Sequence, residues 1–236
     1  MIERRDRRSP RGNYDRRLPV QFSRTPEVPP ASMHGPAALE VPPPQFDLLN
    51  NEPGEALTRR AIMETGSPLG DTSWHKGAAG EVFTSNCLEP LRSEGWFVAD
   101  SVPLAKGGDI DHLAIGPSGV FVINSKNYTG AQINAEACSI FINAKRRDDL
   151  LEEARIDAEF AAEVILSQTG TFIQVTPVLA FVNTATFHGG KRIGGVLIAE
   201  SKRLAQILKD SRKGGLTSDD VTSLMHAVRD SRVWSS

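Results

Sequence analysis

Cysteine is nearly absent: Cys87 and Cys138 are the only two in 236 residues. Two such positions give neither a disulfide framework nor a metal-binding cysteine pattern. Small core or boundary packing is the expected role of both. Long apolar runs are missing too. No stretch approaches the roughly 20 residues that span a bilayer, and the N-terminus lacks the apolar segment of a secretory signal. A cytoplasmic protein without a membrane partner is the expectation. Charge of one sign is not in excess either. The net charge of −2 excludes a chain that is polybasic throughout, so any surface for nucleic acid must be local. The chain has no internal repeat and no kinase, helicase or helix-turn-helix signature.

What is present is unevenly spread. Ten of the 15 prolines fall at or before Pro53, a density that prevents continuous helix and interrupts sheet ladders. Seven arginines stand in the first 17 residues against Glu3, Asp6 and Asp15, a local charge of +4. Such a segment can sit on phosphate or remain solvated. Residues 1–70 are therefore expected to be a disordered Pro/Arg-rich tail, with one short helix over 55–64. The length suits one ordinary domain plus tails. The core is expected over 74–185, followed by a strand and two-helix extension over 186–236.

Within that core the apolar spacing predicts a helix from about residue 77 to 93, with Val82, Leu88 and Leu91 on its inner face and Pro90 kinking it or ending it early. A strand follows over 96–103, then a hairpin, then short strands within 131–141. Residues 148–167 read as a long helix with Leu151, Ala154, Ala158, Ala161, Ile165 and Leu166 inward. Residues 173–183 read as a strand, with Pro177 tolerable only at an edge or bulge. Residues 192–199 form a further strand, and capped helices close the chain, Thr217 and Asp220 forming a capping box. This order specifies an α/β domain with a mixed sheet flanked by helices.

The hairpin is the informative stretch. Residues 110–115 and 120–126 alternate as strands around Gly116-Pro117-Ser118-Gly119, which is turn chemistry. With a side-chain period of two, Asp111, Leu113 and Ile115 share one face of the first strand, and Val120, Val122, Asn124 and Lys126 share one face of the second. Pairing across the turn brings Asp111 near Asn124 and Lys126. An Asp on one strand and an acid two residues before a Lys on the next suit metal-assisted phosphodiester hydrolysis. Carboxylates hold a hard cation such as Mg2+ or Mn2+ through oxygen. The cation acidifies a bound water and polarises the phosphate, and the lysine offsets developing charge. Glu81, on the preceding helix, is placed in sequence to complete the set, and Asp109 is a spare carboxylate.

Gly80-Glu81, the string from Ile110 to Ile123, and Lys126 with Gly130 after it resemble the NERD family, the nuclease-related domain of the PD-(D/E)XK nuclease-like superfamily. The likeness covers roughly residues 76–185, and the string from 110 to 122 is its specific part. The resemblance implies a restriction-endonuclease-like core, a role in DNA processing, Mg2+ or Mn2+ as cofactor, and DNA as partner. By position it makes Glu81 the helix acid, Asp111 the metal-binding acid and Lys126 the motif lysine. Asn124 departs from the pattern, which has Asp or Glu there. It offers one neutral oxygen to a metal and no charge. Two further readings stay open: a nucleic-acid-binding module without catalysis, and a protein-interaction domain recruited through the tail. Lys145-Arg146-Arg147, and His75 with Lys76, are further candidates for phosphate contact; an exposed, solvated role is the alternative for each.

Overall fold

A computed structural model describes residues 41–105, 107–136, 138–189, 192–211 and 215–235. The arginine-rich start of the expected tail lies outside these residues. Residues 41–70 do not continue a tail. Pro44–Phe46 and Leu48–Asn50 are short 3-10 turns, and α1 spans Glu55–Thr65. The prolines there fit the turns rather than break them, since Pro44 stands at a helix start, where its missing N–H is not needed. Leu48 is fully buried. Asp47 accepts a 2.7 Å hydrogen bond from Arg229 Nε, which ties this segment to the C-terminal end. Left-handed Gly54 opens α1 where a side chain would strike the Ala78 backbone.

Helix α2 runs from Ser73 to Ser93 and begins at a capping box between Thr72 and His75. That cap is the role of His75. Pro90 neither ends nor shortens the helix. An interior proline costs about 3 kcal/mol, but Leu88 and Leu91 on either side are fully buried, each contributing about 1.5–3 kcal/mol. Val82, expected inward, is 42 % exposed.

Six strands form the main sheet in the order β1 (Phe97–Pro103), β2 (Asp109–Gly116), β3 (Gly119–Asn127), β7 (Val175–Val182), β10 (Val196–Glu200), β9 (Arg192–Ile193). The first three are antiparallel neighbours, β3–β7 and β7–β10 are parallel, and β9 returns antiparallel. A smaller sheet orders β6 (Lys145–Arg146), β5 (Ser139–Ile142), β4 (Gln132–Glu136), β8 (Thr186–Gly189). The domain is thus mixed α/β. Strand β7 is central in the sheet, contrary to the edge expected from Pro177. The ladder to β10 starts only at Val178, so Pro177 has one paired neighbour, Val122. The single strand expected over 192–199 divides at Gly194-Gly195, both at positive φ.

Helices cover both sheet faces. Leu113, Ile115, Val120 and Val122 pack with Ala158, Ala161 and Ile165 of α3 (Asp149–Thr169) and with Val221 and Leu224 of α5 (Ser218–Val228). Ala114, Phe121 and Ile123 pack on the other face with Leu88 and Leu91 of α2 and Leu204 and Leu208 of α4 (Ser201–Asp210). This opposition is the period-two alternation made three-dimensional. Leu166 of α3 is 41 % exposed rather than inward. Cys87 is half-buried, whereas Cys138 is exposed at the β4–β5 turn rather than packed. Among the described residues no helix is long and apolar enough to cross a membrane.

Candidate functional site

The β2–β3 hairpin fixes the site because its register is fixed at the turn. Gly116 pairs with Gly119, and the ladder continues through Leu113↔Val122 to His112↔Ile123. One step further places Asp111 level with Asn124. There the ladder is replaced by a side-chain contact: Ser125 N donates to Asp111 Oδ2 at 2.6 Å. On the β1 side, Ser101 faces the same level and adopts left-handed backbone at φ 45°. Asn51 Nδ2 donates to its carbonyl at 2.8 Å, and its hydroxyl donates to the Glu52 carbonyl at 3.0 Å. The residues before α1 therefore hold the strand beside Asp111.

Asp111, Asn124 and Lys126 lie on one face, as the period of two requires. Asn124 is 4 % exposed, and its Nδ2 donates to Asp157 Oδ2 of α3 at 3.2 Å. Lys126 Nζ donates to Glu153 Oε2, one helical turn earlier on α3, at 3.1 Å. Burial pulls the Lys126 ammonium down, but Asp111 and Glu153 outweigh it and hold it above the usual lysine value. Desolvation lifts the Asp111 carboxyl to about 6 against the pull of Lys126 and His112.

Glu81 reaches this group from α2. It is 3 % exposed, and its Oε2 has no hydrogen-bond partner among the described residues. Burial first, then the charges of Asp111 and Asp109, push it up to about 9. Asp109 is raised as well, chiefly by burial, and its Oδ2 is also buried without a partner among the described residues. Asp109, Asp111, Asn124, Lys126, Glu153 and Asp157 line one open cavity of about 850 Å3. Arg60 and Trp74 stand in its wall with Arg147.

Among the described residues no three His, Cys, Asp or Glu side chains converge as a metal-holding group. The expected set is different in kind: the carboxylates of Glu81 and Asp111 and the amide oxygen of Asn124. An all-oxygen donor set suits a hard dication. A buried carboxylate oxygen without a partner is a position that a cation satisfies. Glu81, Asp111 and Asn124 carry that donor chemistry, with one negative charge fewer than the motif supplies.

Other candidates have different places. His112, opposite in facing to Asp111, is fully buried. Asp100 accepts only, so Nδ1 of His112 donates to Asp100 Oδ1 at 2.6 Å, and Nε2 is hydrogen-bonded with Ser125 Oγ at 2.9 Å. Burial raises Asp100, but His112 and Arg92 outweigh it and lower its pKa. This is packing, as expected, carried out by a polar network that ties β1, β2, β3 and α2. Lys145 and Arg146 are exposed, with Arg146 and Arg147 paired to Asp148 and Asp149. Lys76 pairs with Asp71 at the surface. The α3 acids Glu153 and Asp157 and the α1 residue Arg60 escape a reading by motif. The available signal is Asp157 itself, an acid within the Ala154, Ala158, Ala161 stripe.

Residues 76–182 match the family model of the nuclease-related domain. No curated protein and no solved structure matches the chain.

Proposed function

With residues 76–182 forming a nuclease-related domain, we propose that the protein is a divalent-cation-dependent phosphodiesterase acting on DNA, and that Glu81, Asp111, Asn124 and Lys126 form its site. The observation that carries this reading is the convergence of Asp111, Asn124 and Lys126 on one cavity, beside a buried Glu81 oxygen with no partner among the described residues. Glu81 and Asp111 through carboxylate oxygens, with Asn124 through its amide oxygen, would hold Mg2+ or Mn2+. When bound, such an ion polarises a phosphate and acidifies a water. Asp111 is held in place by the Ser125 amide through Oδ2, and its other oxygen would be the one left for an ion. Lys126 keeps its proton, given its raised pKa, and acts as a positive charge toward a pentavalent phosphate. Arg60 in the cavity wall offers a positive charge to a nucleic-acid backbone, whereas Arg147 is already paired with Asp149.

The test is cleavage of single- and double-stranded DNA by the full chain with Mg2+ or Mn2+. Asp111→Ala and Lys126→Ala are each expected to lower the rate at least about 100-fold, the order lost with a main electrostatic group. Cleavage that survives both substitutions overturns the assignment. A second reading, nucleic-acid binding without cleavage, draws on the missing charge at Asn124. Salt-sensitive DNA binding by an inactive wild type, with cleavage appearing in Asn124→Asp, would select it.

A further inference from the structure

We infer that Arg60 of α1, carried on the Trp74 ring of α2, forms a stacking platform for an unpaired base, so that the cavity takes single-stranded DNA. The inference rests on the reading of this cavity as a DNA site and names the form of DNA that enters it.

The platform is built where α1 packs on α2. Leu57 and Gly77 meet there so closely that a side chain on Gly77 would come within 2.5 Å of Leu57 Cδ1. Arg60 stands one turn after Leu57 on α1, and Trp74 one turn before Gly77 on α2. The same close approach therefore sets the Arg60 guanidinium over the Trp74 ring, 5.1 Å from its centroid. The ring's negative face attracts the cation. Both side chains line the cavity that holds Asp111 and Lys126.

Arg60 differs from the other cations of that cavity. Lys126 is bound to Glu153, and Arg147 to Asp149. The Arg60 guanidinium makes no ion pair or hydrogen bond among the described residues; a ring holds it instead of a carboxylate. Its charge reaches Asp109, whose carboxyl it pulls down against burial. Arg60 is exposed and Trp74 half-buried, so the guanidinium is the outer layer of the pair. Being planar, it can take a base on its face while its edge N–H groups remain for a phosphate. Ile156 of α3, 44 % exposed, adds an apolar wall to the same cavity, which suits a base and a sugar rather than a phosphate. A space of about 850 Å3 is on the scale of a small ligand and not of a duplex. In a duplex the bases stack on one another and show only their edges. An unpaired base has a face to give.

Anisotropy of a fluorescein-labelled oligothymidylate strand, and of a hairpin duplex of equal length, measured with the full chain in EDTA, tests this apart from cleavage. The wild type should bind the strand at least about tenfold more tightly than the duplex. Arg60→Ala and Trp74→Ala should each weaken strand binding by about tenfold, the order of one lost base stack, and leave duplex binding within about threefold. Arg60→Lys keeps the charge without the plane and should lose as much as Arg60→Ala, whereas Trp74→Phe keeps a ring and should stay within about threefold of the wild type. Arg203→Ala removes an exposed arginine of α4 and should change nothing. Wild-type strand affinity in Arg60→Lys overturns the platform, since charge alone would then suffice. An equal loss in Arg203→Ala overturns it as well, and oligouridylate bound more tightly than oligothymidylate overturns DNA as the strand. If Trp74→Ala does not fold, the comparison of Arg60→Lys with Arg60→Ala at the exposed position carries the test. Equal binding of strand and duplex, with both cleaved in Mg2+, overturns this inference and leaves the phosphodiesterase standing. A strand preference lost in Arg60→Lys, with no cleavage in Mg2+ or Mn2+, supports the platform and overturns the phosphodiesterase.

Discussion

At neutral pH and without a cation, Glu81 holds its proton, because burial and the neighbouring acids lift it to about 9. A carboxyl raised on folding favours the native state while protonated. The benefit is complete below the unfolded value, near 4.5, and is lost as pH rises through the folded one. Asp111 acts the same way over a narrower window that ends at about 6. In EDTA the thermal midpoint should therefore fall between pH 5 and pH 9. Glu81→Gln should flatten that slope and stabilise the protein by about 2 kcal/mol at pH 8. Superimposable pH profiles for the two proteins would contradict the placement of Glu81.

At the scale of elements, the β2–β3 hairpin depends on one close approach. A side chain at Gly116 would come within 2.0 Å of the Trp96 ring, which stacks on Phe121 at 6.0 Å. Gly116→Ala should cost about 3 kcal/mol through this overpacking, seen as a lower urea midpoint; an unchanged midpoint would mean that the ring moves aside freely. The hairpin was legible because its turn residues and alternation are local. Asp111, Asn124 and Lys126 followed from the period alone. Helix α3 was legible as a helix from the same kind of local pattern, but its part in the site was not. Which strand residue faces Asp157 is decided by the β3–β7 pairing and the helix packed over it, contacts some 33 residues apart for Asn124 and Asp157. Pro90 misled in the same way: local propensity gives its cost, and only the packing of Leu88 and Leu91 gives what outweighs it.

At the scale of the whole molecule, the site is assembled from α1, α2, the hairpin and α3. The first of these was expected as a short helix over 55–64, but the proline count concealed that its segment packs on the domain. Residues 41–66 bury Leu48 and Ala61, pair Asp47 with Arg229 and place Arg60 in the cavity wall. A chain starting after residue 70 should therefore melt at least about 10 °C below one starting at residue 41, since burial of two such side chains and a buried ion pair is worth several kcal/mol. Equal midpoints would return residues 41–70 to the status of a tail. The α/β class and the mixed sheet were readable because helix and strand periods alternate along the chain. The small second sheet was only partly so, because β6, β8 and β9 are too short to show a period.

The three tryptophans divide this assembly among themselves. Trp74 stands in the cavity wall, Trp96 lies over the hairpin turn, and Trp234 is fully buried with its Nε1 donating to the carbonyl of Val228, the last residue of α5. Each indole thus samples a separate neighbourhood, and variants that retain one at a time would emit from the site, the hairpin or the C-terminal closure alone. The protein carries its own set of optical reporters, able to tell whether these regions come together in one step or in sequence.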